Sequence, residues 1–492
     1  MEGRSIVFLR TSSVARAPVY RHLKSLGLIL ILVHPLPLLE EFDGIFDHIL
    51  VQDTCCAAEL GPLLEAFLQE LQIVPDAIIS FDEYAVYTAA VMAASFGFRP
   101  IPLPASDIKQ TNLKAKFREM CRAYGVHSPK NTILHLPEWC KSFLLQGGKV
   151  DTLSDRDREK LERELTPLLA DFTFPVVLKP SPGAGSLMAR QCRDRQEVVG
   201  HALNMWGTFT NYPDSRHLCA VTRNTLCTED TALSKCSEET QALNLSEKFG
   251  FVILVEEYIE GQEVDMDCVV ENGELVFCSI SDNFDTEPPY FVEKGGLCPS
   301  ALPLEAKTEL TKLLHLYLSM HKEKLHGVLH FEAKYDFKRK KAFVIEVNCR
   351  MGSAETNTMI RTCYNGLQLG ESFVRCALGL SVREQLSRHV SPSATVVEQL
   401  GEGFFPAVCH CASVNLYPTR PGRLVEAAVP TELPYLVAYS VSANPGDLVA
   451  PPPTRFYLLC WMVCKGDTAE EAVTRITKAT SLFRQEITPV CS

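Results

Sequence analysis

Glu332 and Glu346 lie in two alternating runs, residues 328–335 and 342–348, on either side of the basic link Lys338-Arg339-Lys340-Lys341. Such runs read as the arms of an antiparallel hairpin. With the turn centred near Arg339, Glu332 falls opposite Glu346. Alternation adds Asn348 to that face, and Arg350 as well if the extended backbone persists that far. Like charges opposed across a strand pair are destabilising, so buried carboxylates in this arrangement must share a proton or hold a cation. A hard divalent ion fits: Mg²⁺ takes oxygen ligands and is commonly held by one or two carboxylates together with substrate phosphates. The competing reading is a solvated acidic pair on an edge hairpin. The apolar neighbours Phe331, Val344, Ile345 and Val347 count against it.

Two further stretches could meet a nucleotide. Lys179 ends an apolar run, residues 174–179, and leads into Pro180-Ser181-Pro182-Gly183-Ala184-Gly185-Ser186. Glycine lets backbone amides come close to phosphate oxygens, and a neighbouring ammonium neutralises them, although a plain turn has the same composition. The spacing excludes a GxxxxGK[ST] phosphate loop. Residues 255–263, VEEYIEGQE, offer backbone groups between two strands, apolar Tyr258 and Ile259, and carboxylates for an amine and a ribose. A strand end with solvated acids is the alternative.

The elements that must position these groups follow from periodicity. Strands at residues 5–9, 28–33, 49–51 and 77–80 alternate with helical stretches to residue 26 and at 57–71 and 84–96, which implies a doubly wound parallel sheet. No GxGxxG follows the first strand, so a dinucleotide is not the expected ligand there. A helix is expected over residues 111–125, with Lys114 and Lys116 near its start and Gly125 as its stop, and another within 151–164. An Asn272-Gly273 turn joins two strands, and a helix over residues 304–325 precedes the hairpin. Residues 204–250 lose periodicity and read as an insertion or loop. Residues 355–380 are mostly helical, and a smaller β-rich module from about residue 391 closes with a helix over 468–482, capped by Asp467-Thr468.

The 492-residue length suggests roughly two to four domains. A formal net charge of −12 with no dominant basic block argues against a nucleic-acid partner. The apolar run 26–39 is short, contains His34 and two prolines, and reads as buried strand and loop rather than a membrane span. The 19 cysteines lack the spacing of a zinc site and are expected as reduced, mostly buried thiols of a cytoplasmic protein.

Taken in order, a helical lysine eleven residues before a glycine, a strand ending in lysine with a Gly-rich loop, EEYIEGQE, and HFEAKY…VIEVNCR resemble the ATP-grasp superfamily. FDEYAVYTAAVMAASFGF is similar to that family's first domain and GDTAEEA to its closing module, and the likeness runs most toward amino-acid ligases of the bacterial dipeptide-synthetase and carnosine-synthase type. The resemblance implies an α/β fold: a doubly wound parallel-sheet domain over residues 1–108, an ATP-grasp domain of two α+β lobes over 109–390 and a β-rich module over 391–492. The small lobe would span about residues 170–262 and the catalytic hairpin 327–350. It also implies ATP and Mg²⁺ (or Mn²⁺) as cofactors, small amino-acid substrates and no membrane partner, and homodimers are common among such relatives. Lys114 and Lys179 resemble the phosphate-binding lysines, with Lys116 a rival for the first. Gly183, Gly185 and Ser186 resemble a mobile phosphate flap. Glu256 resembles the adenine-amine acceptor, Glu257, Tyr258 and Ile259 the hinge backbone, and Glu263 the ribose acid. Glu332, Glu346 and Asn348 match metal ligands, and Arg350 the arginine that steadies an acyl phosphate. Glu293 resembles a substrate-pocket acid, but related ligases often carry a histidine shortly after it where this chain has Gly296 and Leu297. The implied reaction is ATP-dependent amide formation between two amino acids through an acyl phosphate, releasing ADP and phosphate. A biotin-carboxylase-like enzyme, a purine-pathway ligase and a non-catalytic ATP sensor are the alternatives.

Overall fold

The computed structural model describes residues 1–145, 148, 152–182, 186, 188–211, 252–455 and 458–489. The amino-terminal strands Ser5–Leu9, Ile29–His34, His48–Val51 and Ala77–Ile79 form a parallel sheet in the order third, second, first, fourth. Both faces are apolar because both are covered. Ile6, Phe8, Leu30 and Leu32 pack with Tyr20, Phe42 and Phe81 on one side. Val7, Leu9, Ile31 and Val33 meet Leu60 and Leu64 on the other. The doubly wound expectation holds, with the helices Ala17–Ser25, Ala57–Leu71 and Val86–Ser95 as the covers.

A second sheet is small and antiparallel, ordered Asn131–Leu134, Ile253–Glu257, Val176–Pro180, Arg190–Cys192. Helices Asp155–Leu165 and Arg195–Asn211 pack near it, and the first is started by a capping box at Ser154. The second helix corrects the sequence reading at its edge. Residues 204–211, taken as the start of an insertion, continue a helix that buries Met205 and Trp206. The rest of that stretch, 212–250, lies outside the described residues, as do Gly183 and Gly185.

The largest sheet has eight antiparallel strands. Its order is Lys341–Asn348, Gly327–Asp336, Gln262–Glu271, Glu274–Asn283, Gly296–Cys298, His410–Leu416, Cys460–Gly466 and Leu436–Val441. Three carboxy-terminal strands thus extend the sheet that holds the hairpin, and helix Ala469–Leu482, capped by the Thr468 side chain on the Glu471 amide, packs against them. A three-stranded sheet of Gly422–Ala428, Leu448–Val449 and Arg484–Thr488 completes the fold. Asn272 and Gly273 both have positive φ, 53° and 85°, as a two-residue hairpin turn requires.

The hairpin register has one irregularity. Asp336 faces Lys341 and Ala333 faces Val344, which centres the turn between Lys338 and Arg339. Counting outward from that centre would put Ile345 opposite Glu332. A bulge after Glu332 absorbs Ile345, and Glu332 stands opposite Glu346 instead. The bulge also turns the Ile345 carbonyl toward Arg118, whose Nη2 donates to it at 2.6 Å.

Gly261 crosses directly under the hairpin with φ +123°, and a Cβ there would lie 2.0 Å from the Tyr335 carbonyl oxygen. Gly125 ends the helix Lys114–Tyr124 at φ +70° with open space around it. Gly125→Ala should therefore cost about 1 kcal/mol from backbone strain alone, whereas Gly261→Ala should cost roughly 3 kcal/mol or more because backbone must move. Urea unfolding of the two variants checks this, and equal losses would refute the close approach at residue 261.

Candidate active site

Three adjacent strands bring a row of acids together. Glu346 faces Glu332 on one side, and Glu332 faces Asp265 on the other. One step along, Asn348, His330 and Asp267 make a parallel row in the same register. Asn348 Nδ2 donates to Glu332 Oε1 at 2.9 Å, and His330 lies 3.6 Å from the same oxygen. His330 Nδ1 is 3.2 Å from Asp267 Oδ1, an oxygen that also accepts from the Gly352 amide at 2.8 Å. Asn283 Nδ2 donates to Asp265 at 2.9 Å.

The charges divide as buried neighbours must. Burial and then the facing Glu346 push Glu332 well above the usual glutamate range. Burial also pulls Glu346 upward, but Lys114 and Lys179 outweigh it and hold the carboxyl below its ordinary value. The pair therefore keeps one proton, on Glu332. Burial alone would lower His330, yet Asp267 and Asp265 raise it to about 10, so it is a cation among the acids. Burial raises Asp265 to about 6. Two part-buried carboxylates and an amide oxygen on one strand face are the donor set a hard divalent cation takes, and such an ion would replace the shared proton.

Cations converge from the helix Lys114–Tyr124 and from the small sheet. Lys114 Nζ lies 3.0 Å from Glu346 Oε1. Lys179 Nζ lies 2.7 Å from Glu256 Oε2, while Arg118 Nε holds the other oxygen of Glu256. Burial, then Arg118 and Lys114, draw the Lys179 ammonium down despite Glu256. One carboxylate shared by two buried cations leaves the group short of negative charge, a deficit that an added anion would fill. Arg350 is fixed at 2.8 Å by Glu83, which comes from the loop after the last strand of the parallel sheet.

A cavity of about 780 Å³ collects these groups. Lys114, Lys179, Ser186, Glu256, Glu257, Tyr258, Ile259, Glu263, Glu293, Glu332, Glu346, Asn348 and Arg350, which are all the described candidates except Lys116, line it. Lys116, two residues after Lys114 and so on the opposite side of the helix, points outward with 59% of its side chain exposed and pairs with Glu119. Glu263 pairs with Lys334 at 3.3 Å, and Lys334 in turn sits 5.2 Å over the Tyr258 ring. Glu257 is tied to Arg339 at 3.2 Å and to the Lys130 amide at 2.9 Å. Glu293 opens into the cavity. Although its side chain is exposed at the cavity mouth, the protein crowded around it, then Glu355, Asp265 and Glu263, push it up to about 7.

Residues 225–358 match the ATP-grasp domain family, and residues 415–488 match L-amino acid ligase C-terminal domain 2. The L-amino acid ligase from Bacillus licheniformis superposes on 99% of this chain and 100% of its own, with a TM-score of 0.73 at 14% sequence identity. This chain has the ATP-grasp fold. Carnosine synthase 1 of Homo sapiens is 23% identical over 474 residues, 95% of this chain and 51% of that protein. Carnosine synthase 1 of Gallus gallus is 27% identical over 207 residues, 42% of this chain and 19% of that protein. The chain thus spans about half or less of the length of these curated relatives.

Several groups that line this cavity or brace its lining residues escaped the sequence reading. Arg118, Asp265, Asp267 and His330 had a legible signal: D-x-D at 265–267 and H-x-E at 330–332 both have the period that places side chains on one strand face. Arg118 sits one helical turn after Lys114, on the same face. Glu83 and Glu355 had none.

Glu332 supplies a pH test in the metal-free protein. Its folded-state pKa lies above the unfolded value, so the folded chain keeps a proton that the unfolded chain loses, and stability from this group falls as pH rises past about 4.5. Glu332→Gln removes that loss. Relative to wild type, the variant should gain melting temperature as pH rises above about 5. A constant difference above that pH would contradict the opposed, proton-sharing pair.

Proposed function

We propose that this chain is an ATP-dependent carboxylate–amine ligase that joins two amino acids into a dipeptide or related amide. The observation that carries the reading is one cavity in which opposed Glu332 and Glu346 meet the cations Lys114, Lys179 and Arg350. A free carboxylate does not condense with an amine in water because its oxygen is a poor leaving group. In the proposed reaction, a carboxylate oxygen attacks the γ-phosphorus of ATP, and the bond to the β–γ bridging oxygen breaks to release ADP. The amine nitrogen of the second amino acid then attacks the acyl carbon, and phosphate departs with the C–O electron pair.

Each role falls to a named group of this chain. Lys114 and Lys179 bind phosphate oxygens, and the drawn-down Lys179 ammonium is the one that gains most from them. Gly183 and Gly185, with Ser186 at positive φ beside the cavity, serve as the phosphate flap. Backbone groups at Glu257, Tyr258 and Ile259 receive the adenine. Glu256 retains lone pairs for its amine beyond the two cations, and Glu263 holds the ribose. Glu332, Glu346 and Asn348 would hold a divalent metal, and Mg²⁺ or Mn²⁺ there would supply positive charge to offset that of the phosphates. Arg350, steadied by Glu83, faces the charge that builds on the acyl phosphate.

The acidic side of the cavity fits an amino-acid ammonium. Desolvation raises Glu293 first and the neighbouring Glu355, Asp265 and Glu263 add to it, and a cationic amine would relieve that like-charge part. Glu293 at about 7 can also take the proton that the amine must shed before attack. The match of residues 415–488 to an L-amino acid ligase domain favours amino acids over bicarbonate or a purine intermediate as reactants.

The decisive assay measures ADP release over pairs of amino acids with Mg²⁺, and identifies the product by mass spectrometry. An amide product that requires ATP is expected. Release with bicarbonate alone would assign a carboxylase, and binding of ATP without release for any pair would assign a sensor. In Glu346→Gln the rate should fall by about two orders of magnitude or more with the fold intact by circular dichroism; unchanged turnover would remove the mechanism. Glu293→Gln should raise KM for the amine by about tenfold while kcat changes less, and an unaltered KM would place the ammonium elsewhere.

A further inference from the structure

Cysteines from three separate segments meet where helix Ala354–Cys363 packs against the main sheet. The sulfur atoms of Cys363, Cys409 and Cys411 all lie within 4.8 Å of one another. Cys298 joins them: it faces Cys411 in register on the neighbouring strand, and its carbonyl accepts from the Cys363 thiol at 3.2 Å. Cys363, Cys411 and Cys298 are fully buried, while Cys409 is only part-buried and gives the cluster an opening to solvent. The sequence spacing gave no hint of this. Cys409 and Cys411 are not CxxC; Cys409 lies in the bend just before strand His410–Leu416 with its sulfur close to that of Cys411, and the fold brings the end of helix Ala354–Cys363 up against them.

We propose that Cys363, Cys409 and Cys411 bind a zinc ion, with Cys298 or a water entering beside Cys409 in the fourth position. A tetrahedral zinc–thiolate site needs sulfurs about 3.8 Å apart, set by Zn–S bonds of about 2.3 Å, so the observed cluster closes on the ion with small side-chain rotations. Three S–H protons leave as three Zn–S bonds form. The net negative charge that results stands near Lys465, which faces Cys411 on the adjoining strand.

The placement gives the ion a purpose. Each cysteine sits at the far end of an element whose near end walls the cavity. Helix Ala354–Cys363 starts beside Ser353 and carries Glu355, Thr356 and Met359. Strand His410–Leu416 carries Ser413 and Asn415. Strand Gly296–Cys298 starts at the cavity-lining Gly296. Zinc would pin these three elements to one another and hold the acidic wall in shape.

The test uses the untagged full chain purified without chelator. Elemental analysis should find about one zinc per chain, and exchange with Co²⁺ should give a sulfur-to-cobalt charge-transfer band with the intense visible absorption of a tetrahedral ion. Cys409→Ser, at the part-buried and least fold-critical position, and Cys411→Ala should lose the metal to background, while Cys121→Ala, a buried thiol elsewhere, should keep it. Wild-type protein with no zinc and no cobalt–thiolate band overturns the site without recourse to any variant. So does zinc retained by both Cys409→Ser and Cys411→Ala, or a thiol titration showing a disulfide among the four.

Discussion

Two carboxylates forced to face each other across buried strands set the terms for the rest of this structure. At an effective dielectric of about 20, unit charges about 4 Å apart repel by roughly 4 kcal/mol, a large share of the 5–15 kcal/mol or so that keeps a domain folded. The fold can tolerate Glu332 opposite Glu346 only by keeping a proton between them or by offering cations. It does both. Lys114 leans on Glu346, His330 sits beside Glu332, and the Asn348 amide donates to the same carboxylate. Lys114, His330 and Asn348 all line the cavity, so the groups that stabilise the acid pair also stand where a metal and a triphosphate would bind.

The amino-terminal parallel sheet takes part in this arrangement without a nucleotide fingerprint of its own. Glu83 reaches Arg350, and Arg16 donates from the buried interface to the Gly352 carbonyl. These contacts fix the chain where it leaves the hairpin and enters helix Ala354–Cys363. With no GxGxxG to bind a dinucleotide, the sheet contributes by anchoring the turn that carries Arg350.

Legibility followed the range of the interactions. The hairpin, the Asn272-Gly273 turn, the Thr468 cap and the parallel sheet were readable because period, turn chemistry and capping are local. The pairing of Glu332 with Glu346 was readable from an assumed turn centre near Arg339, although the register depends on a bulge at Ile345 that nothing in the run announces. The choice between Lys114 and Lys116 needed the helix rotation relative to the sheet, since two residues on a helix differ by more than half a turn in direction. Arg118, Glu83 and the four cysteines belong to contacts between segments far apart in the chain. Their spacing carries no signal until the topology is known.

The central claim is that Glu332, Glu346 and Asn348 form a cation site completed by nucleotide phosphate. Electron paramagnetic resonance of Mn²⁺ tests it most directly, by titrating the ion against the protein with and without a non-hydrolysable ATP analogue. Tight binding of Mn²⁺ that appears with the analogue and vanishes when Asn348 is replaced by leucine is the predicted result. Mn²⁺ binding that ignores the nucleotide, or survives that replacement unchanged, would contradict the account.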